Sequence, residues 1–464
     1  MPRSPRRLGR LGPLALLLGA YACGGSSADP VATVVTSPAA STGGGDWPMY
    51  GFDARHWSYA ADERKLALQS VPTLAPAWQS EIGIGTSSSF SAPSVAGGRV
   101  FVGSSVAAGD NFFGFDAATG AKLWSVDLGR RIGPCGLEGN VGIPSTAAIS
   151  GSTLVVGGGD GAYFALDTAS GRVLWHFDLS FAGESAFAWT SPLIRGDRAY
   201  VGISSECDNP SVRGELLSLD LASGAPLATQ FFAPNNAIGA GIWNSPGLSE
   251  DGNVLYVTSG EDMGDNGPLE QAVVALDPTS LAVLEAKRLG PDNQDLDFAS
   301  SPIAFHDAQG RKLVGAAHKD GCFYAFEAAS FASGPRWSRC VGSIVGVLPG
   351  FDPKSGGGTL FIVGTGGASY DGSNATIFAL DPASGADRHA PTRVGALGGG
   401  FALANGLILA NAGAGGLLIL DAQTGQALRA ILPEGAGATL TGPTVAHGFV
   451  YWASGSKLNA WKVP

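Results

Sequence analysis

The amino-acid sequence predicts an all-β fold: an eight-bladed β-propeller of four-stranded antiparallel blades, closed by strands from the N- and C-termini. Three observations predict it. The composition suits short strands and tight turns, a hairpin phrase recurs along the chain, and the last repeat is one strand short. Of 464 residues, 70 are Gly and 28 are Pro, and only 14% are charged, against roughly a quarter in ordinary soluble domains. No long Glu/Lys/Arg-rich helical surface occurs, and regularly spaced apolar runs argue against disorder.

The repeated phrase reads Gly114-Phe115-Asp116-Ala117-Ala118-Thr119-Gly120-Ala121-Lys122-Leu123-Trp124, and returns as Ala165-Leu166-Asp167-Thr168-Ala169-Ser170-Gly171-Arg172-Val173-Leu174-Trp175. Weaker copies centre on Asp220, Asp277, Glu327, Asp381 and Asp421. Such a spacing is that of propeller blades. The Asp and Ser/Thr side chains of each phrase suit a hairpin turn by bonding nearby backbone, and Gly supplies the positive φ. Upstream of most copies stands a Ser/Thr-Pro segment, as in Ser91-Ala92-Pro93, Thr190-Ser191-Pro192, Asn244-Ser245-Pro246 and Ser300-Ser301-Pro302. A β-branched or aromatic run such as Arg99-Val100-Phe101-Val102-Gly103 lies between.

Each unit thus supplies strands A (after Ser-Pro), B, C (ending in Asp) and D (ending in Trp). Units start near residues 90, 143, 189, 243, 299, 346, 398 and 441. The eighth stops at Leu458-Asn459-Ala460-Trp461, after its third strand, and Leu74 to Glu81 is expected to complete it. Such closure removes an exposed sheet edge.

The first residues read as a targeting segment. Arg3, Arg6, Arg7 and Arg10 precede a short apolar run, Leu14 to Gly19, and then Ala20-Tyr21-Ala22-Cys23. This is the pattern of a secretory signal, residues 1–22. A Cys directly after small residues resembles a bacterial lipobox, so Cys23 is the expected lipidation site, with residues 23–45 a flexible tether and 46–464 the propeller. Simple cleavage after Ala22 or Ala28 is the alternative. Either way the expected location is exported, periplasmic or at the cell surface, with membrane contact through the lipid alone. The formal net charge of −11 argues against a nucleic-acid partner.

Four further cysteines form an even set, which in an exported chain favours disulfides. Cys322 and Cys340 flank one C–D turn at similar distances, predicting a cross-strand bridge. Cys135 and Cys207 would then pair by elimination, and free buried thiols are the alternative. No Cys-x-x-Cys-His occurs, so no c-type haem is expected.

In a propeller the D–A and B–C loops share one face, around the central funnel. On those loops lie Glu138, Ser204-Ser205-Glu206-Cys207-Asp208-Asn209, Gly260-Glu261-Asp262-Met263-Gly264-Asp265-Asn266 and the turn Lys319-Asp320-Gly321. Carboxylates with an Asn suit a hard cation such as calcium, and a lysine beside them can polarise a carbonyl. Asp/Asn/Gly clusters are also what turns are made of.

The repeat Ala-Leu-Asp-x-x-Ser/Thr-Gly-x-x-x-Trp resembles the docking motif of pyrroloquinoline-quinone (PQQ) propellers, and Asp46-Trp47-Pro48-Met49-Tyr50-Gly51 resembles the opening run of the same superfamily. The loop Ser204 to Cys207 followed by Arg213-Gly214, then Gly241-Ile242-Trp243-Asn244-Ser245-Pro246, Asp297 to Pro302 and Lys319 to Tyr324, is similar to polyvinyl-alcohol-dehydrogenase-like quinoproteins. That resemblance implies oxidation of a small alcohol or polyol by a quinone, with an external electron acceptor. It implies PQQ and calcium as cofactors, Lys319 contacting the quinone oxygens, Trp243 packing on its plane, Glu206 and Asn244 holding calcium, and Asp265 as catalytic base. The family's adjacent cysteine pair is reduced here to Cys207-Asp208, and its Thr-Gly-Asn is Ser259-Gly260-Glu261. A non-catalytic lipoprotein similar to the scaffold of outer-membrane protein assembly, with a protein partner, is the alternative, as is a ligand-binding module.

Overall fold

The computed structural model describes residues 45–83, 91–132, 140–208, 210–261, 263–264, 267–290, 295–342, 346–365, 374–412, 415–437 and 441–464. The leader, Cys23, Cys135, Glu138 and Asp265 lie outside the described residues. The described chain forms eight antiparallel blades. Their A strands are Ser94–Ala96, Ala148–Ser150, Leu193–Arg195, Gly247–Leu248, Ile303–His306, Gly350–Asp352, Leu397–Ala404 and Thr444–Ala446. The N-terminal strand Ala75–Glu81 pairs antiparallel with Lys457–Lys462 and completes blade 8. Among the described residues no helix is long and apolar enough to cross a membrane.

Two devices join neighbouring blades, and both are written in the repeat. The first is the strand D tryptophan. Trp124 of blade 1 lies on Gly171 in the C–D turn of blade 2, where an added Cβ would stand 2.5 Å from the ring. Its indole N–H donates to the Thr168 carbonyl at 3.1 Å. Trp175 repeats this on Gly224 and Leu221, Trp337 on Gly385 and Pro382, and the closing Trp78 on Gly120 and Ala117. Glycine is needed in these turns twice over, for its positive φ and for the flat surface it leaves to the indole.

Where the tryptophan is missing, the joint is made differently. Blade 3 has Ala228 at that position, and the facing turn of blade 4 carries Leu281 in place of Gly, at φ 59° and packed in the same cluster. Blade 6 uses His389 against Gly425. Blade 7 uses Arg429, whose guanidinium donates to the carbonyls of Val71 (2.9 Å) and Leu74 (2.7 Å) ahead of the closing strand.

The second device is a belt of hydroxyls at the Ser-Pro segments. The amide of Ala92 donates to Thr146 Oγ1 at 3.0 Å, Thr146 to Ser191 Oγ at 2.9 Å, Ser191 to Ser245 Oγ at 2.9 Å and Ser245 to Ser301 Oγ at 2.8 Å. Blades 1 to 5 are thereby tied in series around the channel. Blades 6 to 8 line the same channel with Gly346, Gly399, Gly400 and Gly442. Units six and seven carry no Ser/Thr-Pro segment, and glycine stands at the channel there instead.

The segment 46–60 runs past the A strands in order. Trp47 pairs with Val95, and the carbonyls of Pro48, Ala54, Arg55, Trp57 and Ser58 accept from Ile149, Leu248, Ala304, Phe351 and Leu403. Positive φ at Phe52, His56 and Ser58 bends it through this course. Tyr50, carried on it, lines the central cavity.

The Cys322–Cys340 disulfide is formed, and the two residues face each other directly in the blade 5 ladder. Cys207 is also disulfide-bonded; Cys135, the partner expected for it, is not among the described residues.

Candidate functional site

A cavity of about 540 Å³ opens in the funnel, within the size range of small-molecule sites. Four residues expected from the sequence line it together: Glu206, Trp243, Asn244 and Lys319. They come from blades 3, 4 and 5. Glu206 follows strand B of blade 3 (Arg198–Ser205), Trp243 and Asn244 precede strand A of blade 4, and Lys319 sits in the tight turn before strand C of blade 5 (Cys322–Glu327).

The side chain that organises this wall is one to which sequence reasoning assigned no role. Asp297 is 1% exposed. Its Oδ2 accepts the Trp243 indole N–H at 2.7 Å, and its Oδ1 lies 2.5 Å from the Lys319 ammonium. Its backbone carbonyl also accepts the Lys319 amide at 2.9 Å. Lys319 pairs in addition with Asp295, at the rim, and lies 5.7 Å from the Trp243 ring centroid. Burial works against the ammonium, but Asp297 and Asp295 outweigh it and hold its pKa above the ordinary lysine range. Burial pushes the Asp297 carboxyl up, opposed by Lys319.

Glu206 is buried, and burial raises its pKa despite Arg131, whose guanidinium lies 3.5 Å away. Arg131 is itself held by the carbonyls of Asp160 and Ala186. The Asn244 amide nitrogen donates to the Phe298 carbonyl at 2.9 Å, which leaves its Oδ1 as the atom suited to a cation.

The sequence marks Glu261 only as one of the loop carboxylates suited to a hard cation. Burial, then the Asp297 and Asp208 carboxylates, push its pKa from 4.5 up to about 8. Among the described residues, the acidic groups whose oxygens gather closely enough to share an ion are Glu261, Asp295 and Asp297, all within 4.8 Å. The signal that could have found them is the clustering of acids on B–C and D–A loops of adjacent blades. What it lacked was their convergence.

A pH dependence follows. Between 4.5 and about 8 the folded protein keeps on Glu261 a proton that the unfolded chain has released, so stability declines as pH rises through that window. The melting temperature is expected to fall from about pH 5 to about pH 9, and Glu261→Gln is expected to make that slope shallower. Melting curves across this range check both. An unchanged slope in the variant would assign the titration to another group.

The similar proteins include both dehydrogenases and an assembly factor. The family described as outer membrane protein assembly factor BamB matches residues 35–280 and 113–388. No curated protein sequence matches the chain. Among solved structures, quinohemoprotein alcohol dehydrogenase from Comamonas testosteroni is similar with a TM-score of 0.69 and 17% identity, over 90% of this chain and 80% of that one. A europium-containing methanol dehydrogenase is similar at 0.71 and 13%, over 90% and 98%. BamB from Moraxella catarrhalis is similar at 0.55 and 15%, over 84% and 99%. At these identities the likeness is one of fold.

Proposed function

The chain belongs to the PQQ-type β-propeller family that includes the outer membrane assembly factor BamB, and from that membership we propose that it is a quinoprotein dehydrogenase oxidising small alcohols or polyols, with an external electron acceptor. The observation that carries this reading is the Trp243–Asp297–Lys319 contact inside the funnel. An assembly scaffold has no need of a buried carboxylate held between an indole N–H and an ammonium.

The cavity suits a planar, oxygen-rich quinone with a hard cation beside it. Trp243 offers a flat aromatic wall, Lys319 and Arg131 offer positive charge, and Glu206 with the Asn244 carbonyl offers hard oxygen ligands. Across the funnel, the buried Thr441 hydroxyl lines the same cavity and has no hydrogen-bond partner among the described residues. A quinone held by these residues would supply the hydride acceptor for oxidation of the alcohol. Asp297 takes the hydroxyl proton of the alcohol as general base, and its raised pKa brings it towards the range where proton transfer is efficient. The Trp243 N–H fixes which carboxylate oxygen faces the alcohol. Asp297 takes this role from its position; Asp265, the base implied by resemblance, lies outside the described residues. Export with lipidation at Cys23 completes the proposal, as the basic leader and small-residue site suggest.

The test is a titration of purified protein with PQQ and calcium, followed by alcohols and a dye acceptor. Saturable binding with turnover is expected, and Lys319→Ala is expected to weaken quinone binding by about tenfold or more. No saturable binding, with Lys319→Ala indistinguishable from the parent, overturns the reading. The match to the assembly-factor family favours a second reading, a propeller scaffold with a protein partner. It predicts no quinone binding and no effect of Lys319 on capture of that partner.

A further inference from the structure

A second cavity, of about 500 Å³, opens between blades 6 and 7 on the face of the A–B and C–D turns, opposite the funnel. It lies at a joint that lacks the strand D tryptophan. His389 stands at that position, with its ring on Gly425 and its Nε2 3.3 Å from the Ala422 carbonyl. In the blade 1–2 joint an indole N–H takes the corresponding place. An imidazole fills less of the joint than an indole, and His389 lines the cavity. The floor is apolar, made by the buried Tyr59 and Phe361. Lys354 and Arg388 stand at its exposed mouth. Arg388 pairs with Asp381 at 3.2 Å. The Lys354 ammonium has the Ala61 carbonyl at 3.3 Å and the Tyr59 ring centroid at 5.4 Å, and it forms no ion pair among the described residues. Asp352 lines the same cavity and is buried. Its Oδ1 accepts the Lys354 amide at 2.9 Å, and no side-chain donor reaches its carboxylate among the described residues.

We propose that this cavity binds a small aromatic hydroxycarboxylate, with its carboxylate on Lys354, its ring against Tyr59 and Phe361, and its hydroxyl donating to Asp352. A lysine without an ion partner, at the mouth of an apolar hollow, is a ready donor for a carboxylate. Asp352 repels a second negative charge inside, so the anionic group stays at the mouth and the deep end takes a neutral donor. A buried carboxylate oxygen is stabilised by such a donor. The two aromatic side chains between these poles call for an apolar body, which an inorganic anion lacks. The volume falls in the range of small-molecule sites. The site shares no residue with the funnel cavity, so the inference stands whether or not the quinone binds.

The probe is para-hydroxyphenylacetate, titrated calorimetrically into the whole protein without quinone. Saturable binding is expected. Phenylacetate, which lacks the hydroxyl, is expected to bind about tenfold more weakly. The alcohol analogue para-hydroxyphenylethanol, which lacks the carboxylate, is expected to lose about tenfold or more. Lys354→Met is expected to cost the acid the same factor while leaving the alcohol analogue unaffected, so that the two bind alike. A lysine with only a structural role would not produce that convergence. Lys354→Arg, which keeps the charge, is expected to retain most of the affinity. His389→Trp restores the indole of the other joints, fills the hollow, and is expected to weaken binding by about tenfold or more without lowering the melting temperature. Circular dichroism checks that each variant is folded, and Lys354, at an exposed position, decides the matter if His389→Trp does not fold. No saturable binding of the acid, inorganic phosphate bound as tightly as the acid, or full affinity in Lys354→Met or in a folded His389→Trp variant overturns the proposal. Binding of the acid without binding of quinone sinks the dehydrogenase reading and leaves this one intact.

Discussion

Asp297→Asn is expected to lower the dye-linked turnover of alcohols by about 10²–10⁴-fold while leaving quinone affinity within a few fold. The carboxylate is buried, and its two oxygens are already divided between Trp243 and Lys319. Asparagine has the same shape and still offers one oxygen to the indole N–H, so the Trp243 wall stays in place. It has no basic oxygen with which to take the alcohol proton, and that loss appears in kcat. The measurement is steady-state oxidation with PQQ and calcium at saturation, alongside quinone binding by absorbance. A kcat within a few fold of the parent would remove Asp297 from the chemistry and return attention to Asp265.

Trp124→Ala is expected to destabilise the propeller by about 3–5 kcal/mol, as for other buried aromatic truncations. The ring is 9% exposed, covers Gly171 and donates to Thr168. Its loss opens a hole between blades 1 and 2 and frees the Thr168 carbonyl. The joint between blades 3 and 4 shows how such a hole is filled, with Ala228 opposite Leu281 at positive φ. Gly171→Leu alone is expected to destabilise, because its Cβ meets the indole. Combined with Trp124→Ala it is expected to restore part of the loss, less about 1–2 kcal/mol for the left-handed backbone. Urea midpoints of the parent, both single variants and the double variant form the cycle. Additive losses would show that the blade 3–4 joint is not a transferable alternative.

Much of the fold was legible before any coordinates. Asp116, Thr119 and Gly120 make a turn by local hydrogen bonding, and the same bond to the turn amide recurs at Asp167, Asp220, Asp277, Asp381 and Asp421. The strand pattern, the eight units, the closing strand and the Cys322–Cys340 bridge all follow from residues close together or from strict repetition. The site was legible only in part. Lys319, Glu206, Trp243 and Asn244 stand in runs that resemble a known pattern, and all four line the cavity.

Asp297 stood in those runs without a role, and Glu261 only as one carboxylate of a loop suited to a hard cation. Their chemistry comes from neighbours on other blades, Trp243 and Lys319 for one, Asp208 and Asp297 for the other. Burial and electrostatic coupling are properties of a place in three dimensions, and no local pattern encodes them. The amino-acid sequence by itself therefore determined an eight-bladed ring and which of its faces carries the unusual residues. Only the tertiary structure decided which carboxylates meet inside that ring, because the loops that bring them together belong to separate, neighbouring blades.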